Sequence, residues 1–385
     1  MNRREFLNTV GIAAAATFAP RVAFAAGAGG YGNLLILVEL KGGNDGLNTV
    51  VPYADGAYYD LRPRLAIPRD QVLQLDARSG LHPSLAPLMA LWENRELAIV
   101  QSVGYPSANL SHFRSIEIWD TASKSNEYLP DGWLARAFTQ APAPRSYAAD
   151  GIVVGGADMG PFAGGGTRTI ALTNTDQFLR QARFAAPAGL ARNAALNHIL
   201  KVEQDIVQAA ASLKGDYAFR TEFPNTSFGN AIRTTAQVIA SQAGVAAIKV
   251  SHNGFDTHSN QPGTQARLLK DLAEGLVALK AALAEINRWH STLVMTYAEF
   301  GRRPRENQSG GTDHGTANAN FVMGGRVKGG LFGLPPALSR LDGSGNVPFA
   351  VDFRDLYATV LERWWGVDSD RPLSGRFTTI DLLRA

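Results

Sequence analysis

Short hydrophobic runs alternate along the chain with longer stretches in which apolar positions recur at helical spacing. The short runs are continuously apolar or β-branched, which is typical of strands covered on both faces. They are residues 34–40, 97–100, 152–154, 245–250 and 292–297. The helical spacing occupies residues 81–94, 111–122 and 265–288. Strands that alternate with helices predict an α/β fold, with a mostly parallel central sheet and helices on both faces.

Acidic, amide and imidazole side chains follow three of the predicted strands. In open α/β sheets ligands bind outside the carboxyl ends of the strands, so these side chains are expected to meet there. Carboxylates and imidazoles are ligands of divalent ions, and the pattern therefore predicts a metal site. The candidate ligands are Asn44, Asp45, Asp256, Asp313 and His314. Asn44-Asp45-Gly46 is also typical of an Asx turn, which is the purely structural alternative.

Three further residues are candidates for catalysis. Ser111 opens a predicted helix, where the helix dipole and free N–H groups favour an anion and a metal contact could activate its hydroxyl. Arg114 lies one turn later and could clamp a phosphate or sulfate. His258 accompanies Asp256 in a glycine-containing turn and could assist. The structural alternative for Ser111 is a simple helix N-cap.

Other polar residues near these segments could have either a functional or a structural role. His112 could cap or pack locally, and His82, which precedes a proline, is expected to be structural. Glu299, Arg302 and Arg303 could bind an anion or form a solvated ion pair.

The N-terminus has the features of an export signal. A basic start containing Arg3 and Arg4 precedes a short alanine-rich apolar run and a small-x-small end at Ala25. This pattern predicts a signal peptide over residues 1–25, and the paired arginines resemble the twin-arginine signal. Residues 26–32 are a Gly/Ala linker. We therefore expect a periplasmic or secreted protein that uses the twin-arginine export machinery, the alternative being an ordinary amphipathic N-terminus.

Composition narrows the class of protein further. The chain has no cysteine, which excludes disulfides, thiolate metal sites and cysteine nucleophiles. The net charge is +3, and no basic stripe is interleaved with aromatic residues, so nucleic-acid binding has no support. No other run predicts a membrane span in the mature protein. Without an internal repeat or a clear linker, residues 33–385 are expected to form a single domain.

These motifs resemble a twin-arginine-exported, largely uncharacterised family of the alkaline phosphatase and sulfatase superfamily. The resemblance runs through residues 41–53, 82–83, 111–119, 254–258, 299–315 and 352–357. It implies an alkaline-phosphatase-like α/β domain. It also implies metal ligation by Asp45 and by the pair Asp313 and His314, with Ser111 in the position of the nucleophile. Asp256 and His258 occupy a similar place, although their spacing of two differs from the usual four.

Two departures from the superfamily pattern limit what the resemblance implies. No histidine occurs after His314, so a second metal site would lack its late histidine. Residues 111–114 also do not match the Cys/Ser-x-Pro-x-Arg context of the sulfatase nucleophile. The implied cofactor is one divalent ion, Ca, Mg, Mn or Zn.

The resulting expectation is an exported, metal-dependent hydrolase of phosphate or sulfate esters that acts on an anionic ester substrate. The alternative is a non-catalytic member of the same fold that binds an anionic glycan or a partner protein. A metal-free serine esterase is a distant third possibility, because no Gly-x-Ser-x-Gly elbow is present.

Overall fold

A computed structural model describes residues 30–173 and 217–384, together with a few residues between 182 and 213. The predicted signal peptide over residues 1–25 and most of the 26–32 linker lie outside the described residues. Fourteen strands are present in this part of the chain. They are β1 Leu34–Lys41, β2 Val50–Val51, β3 Leu73–Gln74, β4 Gly80–Leu81, β5 Leu97–Gly104, β6 Ala149–Val154, β7 Thr169–Leu172, β8 Val245–Asn253, β9 Thr292–Tyr297, β10 Arg302–Glu306, β11 Thr312–His314, β12 Asn318–Met323, β13 Gly330–Gly333 and β14 Val351–Asp352.

The central sheet has the strand order β13-β5-β12-β9-β1-β8-β6-β7, with β14 paired to β5. Strand β1 pairs in parallel with β8 and β9, and β6 continues the parallel order on the β8 side. Only β12 among these described strands runs antiparallel, against both β5 and β9. The mostly parallel sheet predicted from the sequence is therefore confirmed.

Helices cover both faces of this sheet, as the sequence predicted. The α-helices of the described chain are α1 Gly46–Thr49, α2 Gly56–Leu61, α3 Met89–Glu93, α4 His112–Thr121, α5 Trp133–Gln140, α6 Ser227–Ala240, α7 Gln261–Glu285 and α8 Phe353–Ala358. Shorter 3-10 turns occupy Pro83–Leu88, Gly160–Phe162 and Trp289–Ser291, and a π-helical segment, Thr359–Trp364, extends α8.

Alternate residues of β1 enter two separate hydrophobic clusters, because successive strand side chains point to opposite faces. Ile36 and Val38 pack with residues of α6 and α7. Leu35 and Leu37 pack with residues of α4, α5 and α8 on the other face. None of the described helices is long and apolar enough to span a bilayer.

Two details differ from the sequence-based expectations. The helix expected over residues 81–94 is a 3-10 turn followed by the short α3, and Pro87 lies within the 3-10 segment. A proline inside a helix removes a hydrogen-bond donor and clashes with the preceding turn, which accounts for the interruption. Residues Thr312–His314 lie on β11, which pairs with β10 in a hairpin that leads into the antiparallel β12. They therefore do not directly follow the carboxyl end of a central strand.

Candidate metal centre

Three side chains from distant parts of the chain form a group with metal-ligand geometry. His112 opens α4, Asp256 follows β8, and His314 ends β11. One ligand atom from each lies within 4.8 Å of the others. The group lies beside the carboxyl ends of the central strands, where open α/β sheets bind ligands.

The loop after β1 passes close beneath this group. Gly42 and Gly43 have φ values of 117° and 81°, which favour glycine. A Cβ at Gly42 would lie 2.3 Å from the Asp256 backbone nitrogen, and one at Gly43 would lie 2.3 Å from the Phe300 ring. The paired glycines therefore let the loop after β1 pack closely against the loops after β8 and β9, which helps to bring the candidate ligands together.

The donor atoms of the group converge on the Asp256 carboxylate. His112 Nε2 lies 3.4 Å from Oδ2, and His314 Nε2 lies 3.3 Å from Oδ1. The Nδ1 atom of His314 lies 2.7 Å from the Leu110 carbonyl. A carbonyl oxygen only accepts hydrogen bonds, so Nδ1 of a neutral His314 carries the proton and Nε2 presents its lone pair to Asp256. Partial burial, opposed by the Leu110 bond, lowers the pKa of His314 and favours this neutral form.

His258 lies against the same carboxylate. Its Nε2 is 3.1 Å from Asp256 Oδ1 and 2.9 Å from His314 Nε2. Since that His314 nitrogen accepts, Nε2 of His258 is the donor. Asp313 lies on the other side of the ring, with Oδ1 3.6 Å from His258 Nδ1 and 3.2 Å from the Asn307 amide. The structure thus places Asp313 beside His258 and outside the group of three.

Asp256 is held by a buried arginine. Arg302 Nη2 donates to Asp256 Oδ1 at 2.6 Å, while the same guanidinium donates to the carbonyls of Gly42, Gly43 and Thr312. Partial burial raises the pKa of Asp256, but the hydrogen bond and charge of Arg302 outweigh it and hold that pKa below its usual value. Arg302 therefore keeps Asp256 ionised and ties it to the surrounding loops.

Asn44 and Asp45, both predicted as ligands, are bonded in the structure to residues outside this group. Arg62 Nη1 and Nη2 donate to the two Asp45 carboxylate oxygens at 2.5 and 3.0 Å, and Gln261 adds a third bond. Asn44 Oδ1 accepts from the Thr49 hydroxyl. The Asp45 side chain is fully buried in this ion pair, which leaves it unavailable to an ion at the surface group.

Ser111 is the N-cap residue of α4, as its position in the sequence predicted. Its side chain is exposed and makes no capping hydrogen bond. Its two chain neighbours both touch the site, since the Leu110 carbonyl binds His314 and the His112 ring faces Asp256. The Ser111 backbone is therefore held at the edge of the group, while its hydroxyl makes no capping bond in the described part of the chain.

Arg114 does not face the group. Its Nη2 donates to the carbonyls of Lys124, Ser125 and Glu127, and its guanidinium lies 3.9 Å from the centroid of the Tyr128 ring. An arginine committed to three carbonyls and a ring holds the loop after α4. In this structure the Arg114 guanidinium is thus directed to that loop, and its role as a phosphate clamp stays a prediction.

The donor set of the group fits a borderline-soft divalent ion. Two imidazole nitrogens and one carboxylate are the kind of three-ligand set that leaves a position open for substrate in catalytic zinc sites. Calcium and magnesium prefer sites made of oxygen ligands. The nitrogen content therefore favours zinc within the set of ions expected from the sequence.

Sequence reasoning did not single out His112 as a ligand, and it left the role of Glu299 open. His112 Nδ1 lies 2.9 Å from Glu299 Oε1, and this oxygen also accepts the Gly42 N–H. The available signal was the position of His112, next to Ser111 at the start of a helix that follows a strand. A histidine there faces the same sheet edge as the polar strand ends.

The chain belongs to the family described as "Protein of unknown function (DUF1501)", whose model matches residues 66–375. No curated protein shows significant sequence similarity to it.

Solved structures with similar folds include members of the alkaline phosphatase and sulfatase group. The C-terminal periplasmic domain of EcEptC from Escherichia coli, solved with Zn, is 12% identical over 87% of this chain and 82% of that chain, with a TM-score of 0.37. PsFucS1 sulfatase from Pseudoalteromonas sp. is 11% identical over 91% and 70%, with a TM-score of 0.38. A protein in the alkaline phosphatase superfamily from Vibrio parahaemolyticus is 12% identical over 89% and 68%, with a TM-score of 0.40.

Proposed function

We propose that this protein is an exported, metal-dependent hydrolase of phosphate or sulfate esters. The convergence of His112, Asp256 and His314 at the carboxyl edge of the sheet is the observation that carries the proposal. A divalent ion held there would neutralise charge on a tetrahedral oxyanion and polarise its oxygen. His112 and His314 would offer Nε2, and Asp256 would offer a carboxylate oxygen.

Ser111 is the proposed nucleophile. Its hydroxyl is exposed at the N-terminus of α4, beside one candidate ligand in sequence, and it makes no capping hydrogen bond with the described residues. The N-terminal N–H groups and dipole of a ten-residue helix favour an anion at this position. Ser111 thus combines a free nucleophile with an environment suited to a phosphoryl or sulfuryl group.

His258 is the proposed proton donor to the leaving group. His258 Nε2 lies 3.1 Å from Asp256 Oδ1 and 2.9 Å from His314 Nε2, so a proton carried on this nitrogen would face the centre and a leaving group there. The side chain is 45% exposed, which leaves it accessible to a substrate. Asp313, 3.6 Å from Nδ1, would stabilise the ring when it carries a charge.

Export through the twin-arginine route to the periplasm or the medium is part of the proposal and rests on the N-terminal sequence. Arg3 and Arg4 should both be needed, and cleavage should follow Ala25.

The experiment measures metal content and ester turnover of the purified mature protein and of Ser111→Ala. We expect about one zinc ion per chain and turnover of a phosphate or sulfate ester. Ser111→Ala should lose turnover by orders of magnitude with little change in melting temperature, because no side-chain cap bond is lost. An alanine variant with full activity would exclude the covalent step. A parent protein without metal would exclude the proposed function.

Binding of an anionic glycan or a partner protein without hydrolysis is the second candidate. The commitment of Arg114 to the loop after α4 favours it, because the arginine expected to hold the substrate anion is directed elsewhere. Metal binding with no turnover on any ester, together with retention on a sulfated polysaccharide, would support this alternative.

A further inference from the structure

The carboxylate of Glu299 is buried directly behind His112. Glu299 lies two residues beyond the end of β9, and its side chain is 3% exposed. Its Oε1 accepts the Gly42 N–H at 2.9 Å and lies 2.9 Å from His112 Nδ1. Burial of a carboxylate is costly unless it is well paired, so its presence behind a candidate ligand calls for a specific role.

The chemistry of this contact fixes the state of the histidine ring. An ionised carboxylate can only accept hydrogen bonds, so the 2.9 Å contact requires the proton on His112 Nδ1. In neutral imidazole the other nitrogen is then unprotonated. That nitrogen, Nε2, is the one that faces Asp256 at 3.4 Å.

We propose that Glu299 is a positioning residue that sets the tautomer and orientation of His112 so that Nε2 is available to the metal. This inference rests on the metal centre of the proposed function. Metal-bound histidines commonly donate their other N–H to a carboxylate or carbonyl, which fixes the ring and raises its basicity. His314 has the equivalent arrangement with the Leu110 carbonyl.

A purely structural role for the carboxylate is less consistent with the contacts around it. The backbone carbonyl of Glu299 already accepts the Ser115 hydroxyl and so ties α4 to the end of β9 without the side chain. The second carboxylate oxygen, Oε2, is buried and has no hydrogen-bond partner among the described residues. The carboxylate is therefore not needed to fasten α4, and its buried, unpaired oxygen is a cost that the contacts of Oε1 with Gly42 and His112 would offset.

The test compares Glu299→Gln and Glu299→Ala with the matched control Glu96→Gln. Glu96 lies at the opposite edge of the sheet, where its Oε1 accepts the Trp289 indole N–H, also at 2.9 Å. Zinc affinity is measured by chelator competition, and the His112 tautomer is measured by 15N NMR of the metal-free protein, with His112→Gln to assign the signal. We expect both Glu299 variants to bind zinc about 10–100-fold more weakly, and the control to match the wild type.

The NMR measurement separates this inference from the proposed function. Nδ1–H on His112 in the wild type, and a shift toward Nε2–H in Glu299→Ala, would support the inference even if no zinc bound. Wild-type protein that binds no zinc would overturn the proposed function only. An unchanged His112 tautomer in Glu299→Ala, or zinc affinity of both variants within twofold of the wild type, would overturn the positioning role.

Discussion

Asp45 and Asp256 have similar positions in the fold but differ in how much of the carboxylate is exposed. Each follows a central strand, and each contacts a fully buried arginine, Arg62 or Arg302. Both Asp45 oxygens accept from Arg62, and its side chain is 0% exposed. Asp256 gives only Oδ1 to Arg302, and its side chain is 47% exposed. An aspartate at a strand end is therefore available for chemistry only where the surrounding structure leaves part of its carboxylate free.

The largest expected effect is at the exposed member of this pair. Asp256→Asn keeps an oxygen for Arg302 but removes the charge that would hold the ion. Because a direct ligand is lost, metal affinity should fall by more than the roughly 10–100-fold typical of outer residues, and turnover should fall with it. Metal content by mass spectrometry, with melting temperature on the same sample, checks this. Retention of one tightly bound ion would remove Asp256 from the ligand set.

Substitution of the buried Asp45 should lower stability and leave metal binding intact, which is the opposite of the effect expected at Asp256. Asp45→Asn leaves the Arg62 charge buried without its counter-ion, which typically costs about 3–5 kcal/mol of unfolding free energy. The folded fraction should keep its metal, because the Asp45 oxygens are directed to Arg62 and Gln261. Urea unfolding gives the stability, and metal content is measured on the folded protein. Loss of metal with unchanged stability would reverse the comparison and restore Asp45 as a ligand.

Asp120 extends the comparison to a carboxyl group that has no arginine partner among the described residues. Burial raises its pKa to about 8, opposed by Lys249 and Lys41 and reinforced by Glu39 and Asp158. Since 3.8 is the ordinary value, the folded state holds a proton that the unfolded state releases between these two pH values. Stability should therefore fall as pH rises through this window.

Asp120→Asn cannot release a proton and should lose this part of the pH dependence. Its melting temperature relative to the wild type should rise progressively from about pH 5 to pH 8. Melting curves of both proteins at several pH values provide the test. Parallel curves would show that Asp120 has the same pKa in the folded and unfolded states.

The sequence by itself determined five strands of the central sheet, the helical layers that cover it and the edge at which polar residues collect. Continuous apolar runs predicted β1, β5, β8 and β9, since a strand covered on both faces has no polar side. The serine before an amphipathic stretch predicted the start of α4. Strands and helix starts depend on residues that are close in sequence, so the local pattern of apolar and polar residues predicts them. The region around Pro87 shows where such local patterns fail. Its helical spacing predicted an α-helix, but the structure has a 3-10 turn there.

Only the tertiary structure decided which side chains are free for chemistry. Arg62 reaches Asp45 from 17 residues away, and His314 meets Asp256 across 58 residues. Whether a carboxylate is neutralised depends on such distant partners, and sequence spacing does not specify them. The same holds for His112, whose role depends on Glu299, 187 residues further along the chain. The sequence determined which residues approach the sheet edge, and packing decided which of them keep a free lone pair there.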